Sequence, residues 1–146
     1  MTLNVSRNIQ NMQNFFTLFD LEERFDIDME QLDTRYFAMQ SQYHPDRSSD
    51  LNMALLVNQG YKILKDNFER ANHILELHGI FVTNNKLAPK LSPEKLEEIL
   101  EIIENKTDPI PAIIESITQA LAAKDYTKAA MHVLELRYME KGRIGE

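Results

Sequence analysis

The sequence predicts an all-α protein in two parts, and three observations lead there. Glycine is scarce, at four in 146 residues, and the β-branched runs are short, so little favours strands. Apolar residues recur instead at helical spacing through most of the chain. One polar stretch, "VTNNKLAPKLSP" (Val82 to Pro93), is bracketed by prolines and reads as the linker between the parts.

In the first part, "NFFTLFDLEERF" clusters Phe15, Phe16, Leu18, Phe19 and Leu21, which fits one or two helical turns. Asp28 then offers an N-cap, with Gln31 three residues later as in a capping box. Leu32, Tyr36, Met39 and Tyr43 recur at i, i+4, i+7 and i+11, one stripe of a helix about 16 residues long. Pro45 ends that helix, because it has no N–H to donate and disfavours helical geometry at His44. Ser48, Ser49 or Asp50 caps the next helix, whose stripe is Leu51, Ala54, Leu55, Asn58, Tyr61 and Leu64. Two helices of similar length and a short loop predict an antiparallel pair, with Tyr36, Met39, Tyr43 and Tyr61 between them. "FERANHILELHG" adds Ala71, Ile74, Leu75 and Leu77, with Gly79 as the C′ stop.

The second part holds three helical runs. "SPEKLEEILEIIEN" has Ser92 as N-cap, Pro93 at the first helical position and glutamates in the early turns. Its stripe of Leu96, Ile99, Leu100 and Ile103 is either core or, if Leu96 and Leu100 face outward, a partner-binding patch. "DPIPAIIESITQALAAKD" repeats the start with Asp108 and Pro109 and carries Ile113, Ile114, Ile117 and Leu121. "YTKAAMHVLELRYMEKG" sets Ala130, Met131, Leu134 and Tyr138 on one stripe, ending at Gly142. Short connections make these a small bundle.

Composition narrows the function. The formal net charge is −7, so duplex-wide nucleic-acid binding, which needs a basic face, is not expected. With no cysteine in the chain, disulfides, thiol catalysis and an iron–sulfur cluster held by its own thiolates are excluded. No apolar run is long enough for a membrane-spanning helix, and "MTLNVSRNIQ" lacks the apolar run of a secretory signal. A cytoplasmic or mitochondrial-matrix protein is the expectation. His73 and His78 are five apart and share no helical face; His132 and Glu135 are i, i+3 but lack a third ligand. No metal, cofactor or catalytic constellation is expected.

The tripeptide His44-Pro45-Asp46 stands out. As chemistry it lacks a nucleophile or third ligand at a fixed spacing. In context, "QYHPDR" follows an amphipathic helix and precedes a polar loop and an antiparallel helix. That arrangement resembles a J-domain. "FFTLFDLEERFDID", "NQGYKILKDNFERANHILELHG" and "LELRYMEKG" are similar to signatures of the HscB family, the J-type co-chaperones of iron–sulfur cluster assembly. The likeness is dense over residues 14–79 and thin between 82 and 130.

The resemblance implies an L-shaped all-α molecule, with a J-domain at 12–79 and a shortened C-terminal three-helix bundle at 83–146. It implies that His44, Pro45 and Asp46, with Arg35 and Arg47 nearby, meet a DnaK/HscA-type chaperone and stimulate its ATPase. It further implies that Leu91, Leu96, Glu97, Leu100, Glu101, Arg137, Tyr138 and Met139 face the iron–sulfur scaffold protein. The chain departs from the family in two places. Ser92 and Pro93 stand where the family tends to carry a bulky apolar pair. Residues 1–79 hold seven Lys and Arg against twelve Asp and Glu, so electrostatic steering is expected to be weaker. A J-domain protein with a different client and a helical protein in which the tripeptide is only a loop are the alternatives.

Overall fold

The structure is a computed structural model that describes residues 13–44, 46, 50–82, 91–105 and 108–144. Seven helices and no strand occur among them: α1 (Phe15–Leu18), α2 (Met29–Gln42), α3 (Leu51–Lys65), α4 (Asn67–Leu77), α5 (Pro93–Glu104), α6 (Ile110–Ala122) and α7 (Tyr126–Ile144). The predicted caps at Ser48 and Ser49 lie outside the described residues, as does most of the linker.

α1 is a single turn that delivers three phenylalanines to the core. Asn14 Oδ1 accepts from the N–H groups of Phe16 and Thr17 at 3.0 and 3.2 Å, satisfying two orphan donors. Asp20 closes the turn in the left-handed region, φ 54°. The backbone bonds Leu21 N to Phe16 O (2.8 Å) and Asp20 N to Thr17 O (3.0 Å) make this a Schellman stop without glycine. Phe15, Phe16 and Phe19 are all buried.

α2 and α3 pair antiparallel, as expected. Tyr36 Oη donates to Asn58 Oδ1 at 2.9 Å and Tyr61 Oη donates to Asp33 Oδ1 at 2.8 Å. The Tyr36 and Tyr61 rings stack at 3.8 Å, 8° from parallel. Tyr36, Met39, Tyr43 and Tyr61 are half-buried, while Leu32 is fully buried. Asp28 caps α2, accepting from the N–H groups of Glu30 and Gln31, and Asp50 caps α3 by accepting from Met53 N. α2 ends at Gln42, two residues shorter than its predicted length of about 16.

The buried face of α3 differs from the predicted stripe. It is Val57, Gly60 and Leu64, whereas Leu51 and Leu55 are 59% and 67% exposed. The reason lies in Gly60: a Cβ there would sit 2.6 Å from Phe15 Cδ1, so α1 rests directly on the α3 backbone. A glycine carries no apolar signal, so this contact leaves no trace in the periodicity.

Asp66 alone separates α3 from α4, as C-cap of one and N-cap of the other. α4 stops at Gly79, φ 82°, with Ile80 N bonded to Leu75 O (2.9 Å) and Gly79 N to Glu76 O (3.0 Å), the predicted C′ glycine. The loop between α1 and α2 is held down by buried Arg70. Its guanidinium donates to Phe25 O (2.6 Å), Leu64 O (2.9 Å) and Asn67 Oδ1 (2.8 Å), and lies 4.5 Å over the Phe25 ring. Burial lowers its pKa to about 10.

The remaining helices form the predicted bundle. Ser92 Oγ accepts from Lys95 N at 3.1 Å and caps α5. α6 begins at Ile110, one residue beyond the predicted proline start, with Asp108 Oδ1 accepting from Ile110 N at 3.2 Å. α7 buries Ala129, Ala130, Val133, Leu134, Leu136 and Met139, a broader face than the predicted stripe, and Tyr138 is exposed instead. The cause is its central position: α4, α5 and α6 all pack on it, so its apolar positions do not reduce to one stripe. Against α4 it runs antiparallel. The His78 ring stacks on Tyr126 at 4.1 Å at one end, and the Arg137 guanidinium covers the Phe68 ring at 5.1 Å at the other.

Candidate functional site

The loop after α2 closes on itself. Tyr43 caps the helix with its N–H on Met39 O at 2.9 Å, and the chain then leaves helical geometry at His44. The Asp46 backbone N–H donates to His44 Nδ1 at 3.2 Å, and Asp46 Oδ2 lies 3.5 Å from the same nitrogen. A neutral ring that accepts at Nδ1 carries its proton on Nε2. The turn therefore presents one N–H donor and one carboxylate, both on exposed side chains. Pro45 and Arg47 lie outside the described residues.

Arg35 is not displayed beside this loop as the resemblance implies. Its Nη1 donates to the carbonyls of Phe19 (2.9 Å) and Asp20 and pairs with Asp20 Oδ2 at 3.4 Å. Seven positions, about two turns of a helix of 3.6 residues per turn, separate it from Gln42 at the end of α2. The left-handed turn at Asp20 offers these carbonyls, and a guanidinium with five donors takes them. Arg35 fastens α1 to α2.

The residues assigned to a scaffold face divide. Leu100 is 60% and Tyr138 45% exposed, Glu97 and Glu101 are exposed, and Leu91 and Leu96 are half-buried. On α5, Ile99 is core and Leu100 faces outward, so the stripe splits between the two readings; the Ile103 side chain lies outside the described ones. Arg137 covers Phe68 and so joins the bundle to α4. Met139 is a correction: at 2% exposure it is core, because α7 is enclosed by its neighbours.

The other histidines have local roles. His73 is buried and its Nε2 accepts from Phe15 N at 3.1 Å, between the Phe15 and Phe16 rings. Burial lowers its pKa, with Glu23 opposing. His78 bonds Glu23 at 3.0 Å, and His132 bonds buried Glu135 at 3.0 Å, which also meets Lys95 at 3.4 Å. Among the described residues no group of three or more His, Cys, Asp or Glu is placed to hold a metal ion, and no helix is long and apolar enough to cross a membrane. Periodicity overlooked Phe37, which is 59% exposed on α2. Its place just off the Leu32–Tyr36–Met39–Tyr43 stripe was the available signal.

An antiparallel helical hairpin with a His-Pro-Asp loop at its tip, carried on a helical C-terminal bundle, defines a J-domain protein with an appended bundle. Comparison with known proteins finds similarity to one group of co-chaperones. Residues 86–143 match the HSCB C-terminal oligomerisation domain. The chain is 39% identical to the co-chaperone protein HscB of Proteus mirabilis, over 65% of this chain and 63% of that protein, just under two thirds of its length. It is 28% identical to a co-chaperone protein HscB homolog of Neisseria meningitidis, over 90% of this chain and 96% of the relative. Chaperone HscB from Vibrio cholerae shares the fold, with a TM-score of 0.70 and 23% identity over 88% of this chain and 92% of that one. Human co-chaperone protein HscB does so with a TM-score of 0.73 and 23% identity over 92% and 83%. The chain is thus similar to HscB co-chaperones in sequence and shares their fold.

Proposed function

We propose that this protein is a co-chaperone of iron–sulfur cluster assembly. It engages a DnaK/HscA-type chaperone through His44, Pro45 and Asp46, stimulates its ATPase, and delivers the cluster scaffold protein held on its C-terminal bundle. The observation that supports this best is the turn in which Asp46 N–H occupies His44 Nδ1. Such a turn leaves the imidazole Nε2–H and the Asp46 carboxylate for a partner. It makes no bond chemistry of its own. Asp46 meets a cation on the chaperone through a charge-assisted hydrogen bond, and the imidazole donates beside it. Arg47 adds charge next to the loop, whereas Arg35 acts by holding α1 in place. On the bundle, Leu96, Leu100 and Tyr138, with Glu97 and Glu101, supply the surface for the scaffold.

Binding of the ATP-loaded chaperone, measured calorimetrically, tests the loop. Asp46→Asn keeps the shape and removes the charge, so affinity falls at least about tenfold, as for truncating one side of an interfacial charge pair. Equal affinity for both proteins contradicts the assignment. The bundle is tested in the same way, with Leu96→Ser/Leu100→Ser against the scaffold protein; unchanged affinity removes these residues from the scaffold surface.

A further inference from the structure

A narrow seam holds α5 to the bundle. Lys95, Ile99 and Ile102 stand along it at i, i+4 and i+7, one stripe of the helix. Ile99 is the one buried side chain among the described residues of α5, and Lys95 and Ile102 are half-buried. α7 is the helix that meets α5 most extensively. Opposite Lys95 stands Glu135, a carboxylate on α7 at 8% exposure. Its Oε2 lies 3.4 Å from Lys95 Nζ, and its Oε1 accepts from His132 Nδ1 at 3.0 Å. Lys95 Nζ also reaches Glu98 Oε1 at 3.5 Å on its own helix. Beside the seam, Leu96 and Leu100 stand at i and i+4, with Glu97 and Glu101 one position on. Tyr138, exposed, lies about one turn beyond Glu135 on α7. One buried isoleucine gives this seam little to fix its register, because apolar contacts are non-directional. An ion pair has a single position.

We propose that Glu135 is a register pin. Through Lys95 it sets where α5 lies along α7, and so brings Leu96 and Leu100 of α5 into one scaffold-binding surface with Tyr138 of α7. Glu135 is a positioning residue and does not touch the scaffold itself. The inference rests on the co-chaperone reading of the bundle and adds to it which residue assembles the surface. A slip of α5 by one turn, about 5.4 Å, moves Lys95 away and leaves a buried carboxylate with only His132 as partner. That penalty is one an apolar pair in the same place does not carry. A single polar position in an apolar seam selects register in the same way in coiled coils. The Ser92 cap fixes where α5 begins in the chain, but not where the helix sits on α7.

The experiment takes two readings on the full chain. One is affinity for the cognate iron–sulfur scaffold protein by calorimetry; the other is hydrogen exchange of the α5 amides without scaffold present. The variants are Glu135→Gln, Lys95→Met and both together, and matching circular dichroism checks that the fold is kept. Each single variant loses about tenfold in affinity, and its α5 amides exchange at least about twofold faster. The double variant loses no more than either single one, because the two side chains act as a unit. Lys95→Met, at a half-buried site, decides the matter if Glu135→Gln does not fold. Unchanged affinity in the single variants overturns the pin and leaves the scaffold reading standing. Affinity that falls with unchanged exchange puts these side chains in direct contact with the scaffold and overturns the proposal. Losses that add in the double variant show that the two act separately and overturn it as well. A wild type that does not bind the scaffold overturns the scaffold reading, and the role of the pin with it.

Discussion

His73 shows how one side chain ties the first turn of the protein to its core. Its Nε2 is the acceptor for the buried Phe15 N–H, a role open only to a ring whose Nε2 is unprotonated. Replacing it in His73→Leu leaves that N–H without a partner and costs about 1–3 kcal/mol, measurable by urea unfolding. Because burial holds the folded-state pKa below its ordinary value, the unfolded chain takes up the proton first. The His73 contribution is therefore complete above about pH 6.5 and is lost as pH falls from there toward the folded-state pKa. Unfolding free energy measured between about pH 7 and pH 5 declines more steeply in wild type than in His73→Leu; parallel curves contradict this role. The sequence shows His73 only as a histidine with no ligand partner in register, since its acceptor role depends on Phe15, 58 positions away. The same holds for Arg35 and Arg70, whose carbonyl partners are set by tertiary folding. His44 and Asp46, by contrast, are local, and their turn is legible in three consecutive letters.

Element ends are legible where the residue type itself is a capping signal, and ends or faces set in any other way are not. Asp28, Ser92 and Gly79 cap as their residue types dictate. Lys124 does not. It stops α6 at φ 60°, with Asp125 N bonded to Ala120 O at 2.9 Å, a position glycine fills at no steric cost. Lys124→Gly stabilises the protein by about 0.5–1 kcal/mol, the strain relieved less the entropy glycine adds to the unfolded chain. Gly60→Ala does the opposite. Its methyl meets the rigid Phe15 ring, and overpacking outweighs the better helix propensity for a net loss of about 1–2 kcal/mol. Thermal melts of both variants check the pair: a lower midpoint for Lys124→Gly or a higher one for Gly60→Ala would sink it. Gly60 also explains why the α3 stripe was misplaced, since the contact that orients the helix is made by the residue with no side chain.

At the scale of the whole molecule, α4 and α7 join the two parts through His78 on Tyr126 and Arg137 over Phe68. The loop of His44 and Asp46 lies at the tip of the α2–α3 hairpin and the exposed Leu100 on α5 of the bundle, so the candidate surfaces for chaperone and scaffold fall in different parts. The sequence signal for two parts is the polar, proline-bracketed stretch from Val82 to Pro93. The burial of Met139 has no such signal, because enclosure of α7 on several sides is a property of the assembled bundle. The central claim is that the loop triggers ATP hydrolysis in a partner. Single-turnover ATP hydrolysis by the cognate DnaK-type chaperone, with wild type and with His44→Gln, tests it most directly. Acceleration by wild type and a basal rate with His44→Gln is the predicted result; equal rates with both proteins would contradict it.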